Sequence, residues 1–244
     1  MATKKKMLEA AAGSAGGDTL DITDVFSTYL YEGTGSALTI NNGIDLSGEG
    51  GLAWIKARET ITTSGGLGNH VLYDTERGAT EGLYTNTTAA EVTRTGGLTS
   101  FNSNGFSLGN YSYEVGAAGK TTDLASWTFR KAPKFFDVVT YTGNGVAGRE
   151  IAHNLGSVPG VIITKKLNAA ENWVVYHRSN GAGKMLYLNG TNATLNSTAV
   201  YPTTPTDSVF YVGDDSAVNG TSSDTYVAYL FAHNDSGDGE FGPT

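Results

Sequence analysis

Gly51-Leu-Ala-Trp-Ile-Lys56 and Gly160-Val-Ile-Ile-Thr-Lys165 share one pattern: a glycine, four residues that are apolar or favour strands, then a lysine. The agreement around them runs in register. Tyr31-Glu-Gly-Thr-Gly35 matches Tyr141-Thr-Gly-Asn-Gly145, His70-Val-Leu-Tyr73 matches Trp173-Val-Val-Tyr176, and Leu83-Tyr-Thr-Asn86 matches Leu186-Tyr-Leu-Asn189. Phe106-Ser-Leu-Gly109 then matches Phe210-Tyr-Val-Gly213, and Trp127-Thr-Phe129 matches Tyr229-Leu-Phe231. The offset drifts only from about 110 to about 102 residues, as small loop insertions and deletions would produce. A colinear series of this kind reads as an internal duplication. The expected organisation is a docking arm with a flexible spacer (1–28), a first repeat (29–133), a second repeat (134–232) and an acidic, glycine-rich tail (233–244).

Within each repeat, short β-branched and aromatic runs are separated by Gly, Asn and Asp clusters, the pattern of strands joined by turns. In the first repeat, strands are expected at 36–41, 51–58, 70–75, 82–86, 98–102, 105–109 and 123–130. Asn41-Asn-Gly43 and Asn104-Gly105 are hairpin-turn signals. The second repeat opens with Phe135-Phe-Asp-Val-Val-Thr-Tyr141, and the junction Lys131-Ala-Pro-Lys134 is short enough that the two units should touch. The expected fold class is all-β: two tandem antiparallel β-sandwiches of jelly-roll or lectin-like type. Separate sandwiches and one larger shared sheet pair both fit the sequence. Trp54, Trp127, Trp173 and Tyr229 fall mid-strand, where they are expected to close the core; exposed carbohydrate-stacking platforms are the alternative.

Net charge is −8 and uneven. Lys4, Lys5 and Lys6 make the N-terminus basic, whereas no Lys or Arg follows Lys184 and seven acids do, from Asp207 to Glu240. An acidic surface repels phosphate backbones, which argues against a nucleic-acid partner. The absence of cysteine excludes disulfides and thiolate metal sites. No apolar run has the length needed to span a bilayer, so no membrane insertion is expected. Glu9 interrupts the one stretch that looks like a signal peptide, Met1 to Gly13, and this segment is expected to stay uncleaved.

Several stretches imitate catalytic motifs. Gly105-Phe-Ser-Leu-Gly109 has the spacing of a nucleophile elbow, which requires a strand-to-helix turn; no helix is expected after it, and the repeat places Tyr211 at the position of Ser107. Gly143-Asn-Gly-Val-Ala-Gly148 fits a dinucleotide fingerprint, but Gly156 and Pro159 leave too little room for the helix that must follow. Gly116-Ala-Ala-Gly-Lys-Thr121 resembles part of a phosphate loop, with Glu114 where glycine belongs. Asp74 and Glu76, at i and i+2, would share a face if both lie in a strand, which makes them the candidate carboxylate pair for a sandwich glycosidase. His70, His153, His177 and His233 lack metal-ligand spacing, and Asp235-Ser-Gly-Asp-Gly-Glu240 has only part of a calcium-loop pattern. The expectation is no catalytic, cofactor-binding or metal-binding residue, and no cofactor.

One combination of segments is more specific than any of these. It comprises Gly51-Leu-Ala-Trp-Ile-Lys-Ala-Arg58, His70-Val-Leu-Tyr-Asp-Thr-Glu-Arg-Gly78, Asn86-Thr-Thr-Ala-Ala-Glu91, the stretch from Leu98 to Gly109, and Ala125-Ser-Trp127. His153-Asn-Leu-Gly-Ser-Val-Pro-Gly160, Tyr226-Val-Ala-Tyr229 and the opening Lys5-Lys-Met-Leu-Glu-Ala-Ala-Ala-Gly13 extend it over nearly the whole chain. In these residues the chain resembles a repeat family of structural proteins of tailed bacteriophages, especially marine ones, of tail-fibre or laminin-G/concanavalin-like type. The resemblance implies a non-enzymatic virion protein, made in the bacterial cytoplasm and placed at the tail or capsid surface. It would be a tail-fibre, tail-tip or adaptor component that attaches to host-surface glycans. The 1–28 arm would contact other virion proteins, and the assembly would be a homo-oligomer, a trimer by preference. A capsid decoration or head-fibre protein is the alternative, and a glycan-cleaving enzyme using Asp74 or Glu76 the less favoured one. The family carries no settled catalytic residues over to this chain.

Overall fold

The computed structural model describes residues 20–58, 69–111, 114 and 122–233. The arm residues 1–19, the phosphate-loop look-alike at 116–121 and the Asp235–Glu240 stretch lie outside the described residues. In the first half, α1 (Ile22–Val25) leads into β1 (Phe26–Gly33), β2 (Leu38–Asn41), β3 (Gly51–Ala57), β4 (His70–Asp74) and β5 (Glu81–Tyr84). Then follow β6 (Val92–Thr93), β7 (Leu98–Asn102), β8 (Gly105–Leu108) and β9 (Thr122–Arg130). The second half contributes β10 (Phe136–Thr142), β11 (Arg149–Ala152), β12 (Pro159–Lys166), β13 (Val174–His177) and β14 (Lys184–Tyr187). It ends with β15 (Leu195–Asn196), β16 (Val209–Val212), α2 (Ser216–Asn219) and β17 (Thr225–Ala232). The chain is all-β, with antiparallel pairing throughout these ladders.

The strands form two large sheets, ordered β1-β9-β3-β4-β5-β6 and β10-β17-β12-β13-β14-β15, and two small ones, β2-β8-β7 and β11-β16. The second large sheet repeats the strand order of the first, place by place. Register agrees as well: Trp54 faces Trp127 and Ile163 faces Tyr229, while Ile40 faces Phe106 and Ile151 faces Phe210.

Each small sheet covers one face of its large sheet. In the first half, Ile40, Leu98, Phe106 and Leu108 pack on Ala53, Ile55, Val71 and Tyr73. In the second, Ile151, Phe210 and Val212 pack on Ile162, Val174, Tyr176 and Leu230. A third core lies between the outer faces of the two large sheets, where Leu52, Leu72 and Leu83 meet Phe136, Val138, Trp173, Val227 and Tyr229. The molecule is therefore four layers deep: two sandwiches packed back to back. Alternation along a strand divides its side chains between two cores, with Ala53 and Ile55 on one side of β3 and Leu52 and Trp54 on the other. Burial on both faces is why Gly51–Ala57 and Pro159–Lys166 read as near-continuous apolar runs rather than alternating ones.

Two expectations from sequence change here. Residues 20–28, assigned to the arm, include α1 and the start of β1; Val25 is fully buried and Phe26 stacks on Phe129 at 4.8 Å, so this segment packs into the middle layer. Trp173 and Tyr229 close a core as expected, the one between the two large sheets, whereas Trp54 and Trp127 are only half-buried. Gly51 has a steric reason for its place in the repeat, since a Cβ there would lie 2.1 Å from the Phe129 carbonyl oxygen.

Trp173 is fully buried, and its indole N–H donates to the Tyr84 carbonyl of the other sandwich at 2.9 Å. Trp173→Ala is expected to cost about 3–5 kcal/mol, read by urea denaturation. Because the middle layer joins the halves, wild type should unfold in a single transition; a variant within 1 kcal/mol of wild type, or two separate wild-type transitions, would contradict the shared core.

Candidate functional site

The sequence look-alikes separate once placed in the fold. Ser107 lies mid-strand in β8, where Asn102 Nδ2 donates to its hydroxyl at 2.9 Å, and the strand runs on to Leu108, so Ser107 does not sit on the sharp strand-to-helix turn that an elbow requires. Gly143–Gly148 is the turn between β10 and β11, with Gly145 and Gly148 at positive φ, and it too opens no helix. Trp54 Nε1 donates to His70 Nδ1 at 3.1 Å, and the Nδ1 atoms of His153 and His177 accept from the backbone of Leu155 and Ser179. Among the described residues no group of three His, Asp or Glu side chains is placed to hold a metal ion.

Asp74 and Glu76 do not form a working pair. Asp74 is fully buried under the second sandwich, while the Glu76 carboxylate reaches out to Lys131 Nζ at 2.7 Å. The turn after β4 explains the division. Arg77 N donates to Asp74 Oδ1, folding the guanidinium back so that Arg77 Nε meets Asp74 Oδ2 at 2.6 Å. Arg77 Nη1 donates to Glu91 Oε2 at 2.7 Å and to the Glu81 carbonyl, and Tyr229 from the opposite sheet donates its hydroxyl to Asp74 Oδ2 at 2.7 Å. Burial alone would lower the Arg77 pKa, but Asp74, followed by Tyr229 and Glu91, holds the guanidinium charged well above its ordinary value. Burial pushes the Tyr229 hydroxyl well up, so it stays a proton donor to Asp74.

The second half has the same turn without the buried ion pair; its one charged side chain, Arg178, does not stand at the place of Arg77. His177 and Asn180 stand in register with Asp74 and Arg77, and Asn180 Nδ2 donates to Thr194 Oγ1 at 3.3 Å where Arg77 meets Glu91. Two backbone bonds add to the joint, from Glu91 N to the Leu167 carbonyl and from Glu171 N to the Thr88 carbonyl, both at 2.8 Å.

Beside this network the two sandwiches leave an open cleft of about 360 Å³. Glu76, Arg77 and Glu91 form its wall from the first sandwich, and Thr140, Thr142 and Thr225 project into it from β10 and β17. Both halves are needed to form it.

A second polar cluster lies inside the first sandwich. Glu114 is fully buried; Tyr73 donates to its Oε1 at 2.5 Å, and Oε2 has no partner among the described residues. Tyr31 donates to the Glu114 carbonyl, as Tyr141 does to that of Val218, so the apolar Val218 occupies the equivalent place in the second half. Gly97 makes room for the Tyr73 hydroxyl, which would lie 2.3 Å from a Cβ there; the equivalent residue is Val200. Burial raises the Glu114 pKa to about 7, against the opposing pull of the Tyr73 hydrogen bond and Arg94. Lys165 is a buried amine whose pKa falls to about 8 through desolvation, its Nζ donating to the Lys166 carbonyl at 2.7 Å.

A family described as a domain of unknown function (DUF7483) matches residues 21–242. The chain belongs to this family. No curated protein and no solved structure matches it. The matched range takes in both sandwiches, the joint between them and the cleft, so the family's unit is the pair of sandwiches and not one of them.

Sequence reasoning passed over Arg77, Glu91 and Glu114 as functional candidates. One signal was available: each occupies a position where the two repeats differ in charge, opposite Asn180, Thr194 and Val218.

Breaking the buried pair should be costly, because it strands a charge: Asp74→Ala is expected to lose about 3–5 kcal/mol. The double variant Asp74→Leu/Arg77→Met should recover most of that loss in a double-mutant cycle, and additive losses would refute the coupling. For Glu114, the folded pKa is raised from 4.5 to about 7. The folded state therefore holds a proton that the unfolded chain has released between those values, so stability falls as pH rises through this window and stays low above it. The loss is on the order of 3 kcal/mol. Glu114→Gln should flatten melting temperature against pH between 5 and 8; an unchanged slope would assign the dependence elsewhere.

Proposed function

We propose that the chain is a non-enzymatic structural protein of tailed bacteriophage particles: a tail-fibre, tail-tip or adaptor component that holds the particle to host-surface glycans. The observation that carries this reading is the four-layer body itself. Both large sheets are covered on both faces, so the strands are committed to packing, and polar loops and the inter-sandwich cleft are left at the rims. A rigid block with polar rims suits presentation and contact. The acids on which a glycan-cleaving mechanism would draw are occupied, Asp74 by Arg77 and Tyr229 and Glu76 by Lys131.

The segments that resemble phage structural proteins are also those on which the fold is built. Gly51–Lys56 lies in an interior strand of the first large sheet, and Tyr226–Tyr229 in its counterpart in the second. In this reading the two sandwiches, lectin-like in type, descend from one duplicated unit, a history supported by their common strand order and register. The basic N-terminal arm docks to other virion proteins, and copies assemble as a homo-oligomer, a trimer by preference.

Antibody-gold electron microscopy of the intact particles tests this. Label at tail or fibre tips is the expected result. Label spread over the head would replace host attachment with capsid decoration, and particles without label would overturn the virion reading.

A further inference from the structure

We infer that the cleft at the joint between the sandwiches is a binding site for a neutral pyranose sugar. The inference rests on the glycan-attachment reading and gives it an address. Five groups at the cleft have no hydrogen-bond partner among the described residues: Glu76 Oε2, Glu91 Oε1, and the hydroxyls of Thr140, Thr142 and Thr225. Two are carboxylate acceptors and three are hydroxyls that donate or accept. A ring bearing several hydroxyl groups matches that set, since each of its O–H groups can donate to a carboxylate and accept from a threonine.

The charges narrow the ligand further. Arg77 is shared between Asp74 and Glu91 and Lys131 between Glu76 and Asp137, so two cations face four carboxylates and the wall is net negative; the Arg77 side chain is only 2% exposed. Among the described residues that line the cleft Arg77 is the sole cation, so the net negative wall repels an anionic sugar, and no group of three His, Asp or Glu side chains is placed there to hold a metal ion. A neutral ligand avoids that repulsion.

The groups are also held in place before any ligand arrives. Thr142 pairs with Thr225 across β10 and β17, and Thr140 follows on the same face, about 7 Å along the strand. Arg77 fixes the Glu91 carboxylate while its backbone N–H is held by the Leu167 carbonyl. Leu167 adds an apolar wall for the C–H face of a ring. The volume, about 360 Å³, falls in the lower part of the range for small-molecule sites, roughly 300–1,000 Å³. Register equivalence supplies an internal control: Asn180 and Thr194 carry no charges, so among the described residues the second half builds no equivalent of this wall.

The test is amide-resolved NMR titration of the full chain with methyl α-glucoside, methyl α-mannoside and methyl β-galactoside, with N-acetylneuraminic acid as the anionic comparison. At least one neutral glycoside should shift the amides of Thr140, Thr142, Leu167 and Thr225, and the anionic sugar should not. Thr140→Val/Thr142→Val replaces two exposed hydroxyls by methyl groups of similar size; it should leave the melting temperature unchanged and weaken binding by roughly tenfold or more. Shifts confined to another surface, such as that around Trp54 and Trp127, would overturn the cleft as the site and leave glycan attachment standing. Equal binding of the anionic sugar would overturn the neutral class. No shift with any neutral glycoside would overturn the inference outright, while the particle-labelling result decides the attachment reading separately.

Discussion

A sheet whose central strands are apolar at consecutive positions cannot leave either face in water. This constraint dictates the architecture. β3, β12 and β17 each send neighbouring residues into different cores, so each large sheet needs two covers. The small sheets supply one cover apiece. The remaining two faces are satisfied by each other, and the third core that results contains an aromatic cluster: Phe129 lies within 5.4–6.2 Å of Phe135, Phe136 and Phe231. Burial of this kind drives association without specifying orientation. The angle and register at which the sheets meet call for directional contacts, which the Asp74–Arg77–Tyr229 network and the Trp173–Tyr84 hydrogen bond provide.

The two halves agree in strand order and differ in charge, and two of the differences are buried. At the joint, a turn that has Asn180 in the second half has Arg77 in the first, in a buried ion pair that Tyr229 from the other sheet completes. Within the first sandwich, a carboxyl replaces the valine of the second and creates a proton-sensitive spot in an otherwise apolar interior. Equal copies could pack against one another with two-fold ambiguity. Unequal polar groups remove it, since a reversed arrangement would take the Tyr229 hydroxyl from the buried Asp74 and the Tyr84 carbonyl from Trp173.

Much of this was legible in the sequence and some of it was not, for physical reasons. The strands, their turns and the pairing of Gly51–Lys56 with Gly160–Lys165 follow from β-branched runs and glycine positions, which local sterics enforce. β1 was not anticipated as a strand because it lies at a sheet edge: Thr28, Tyr29 and Leu30 are exposed, and no alternation marks their faces. Trp173 and Tyr229 do close a core, as expected, but which core was hidden, because periodicity shows that a residue points to a face without showing what lies over it. The ion pair escaped notice for the same reason. Asp74 and Arg77 sit in a turn, where charged residues are usually solvated, and only the second sandwich makes that turn an interior.

The middle layer also sets a schedule. β1 pairs with β9, so the first sandwich cannot close until Arg130 has been made, and its closure leaves Leu52, Leu72, Leu83 and Phe129 on an open face. Their cover is completed only by β17, roughly 100 residues later, which at translation rates of about 5–20 residues per second is a wait of several seconds or more. During that interval the nascent chain displays a greasy surface shaped to receive a sandwich, and a neighbouring nascent chain's second half fits it as well as its own does. The short Lys131–Lys134 connection raises the local concentration of the correct half, and so acts as a chaperone by tethering.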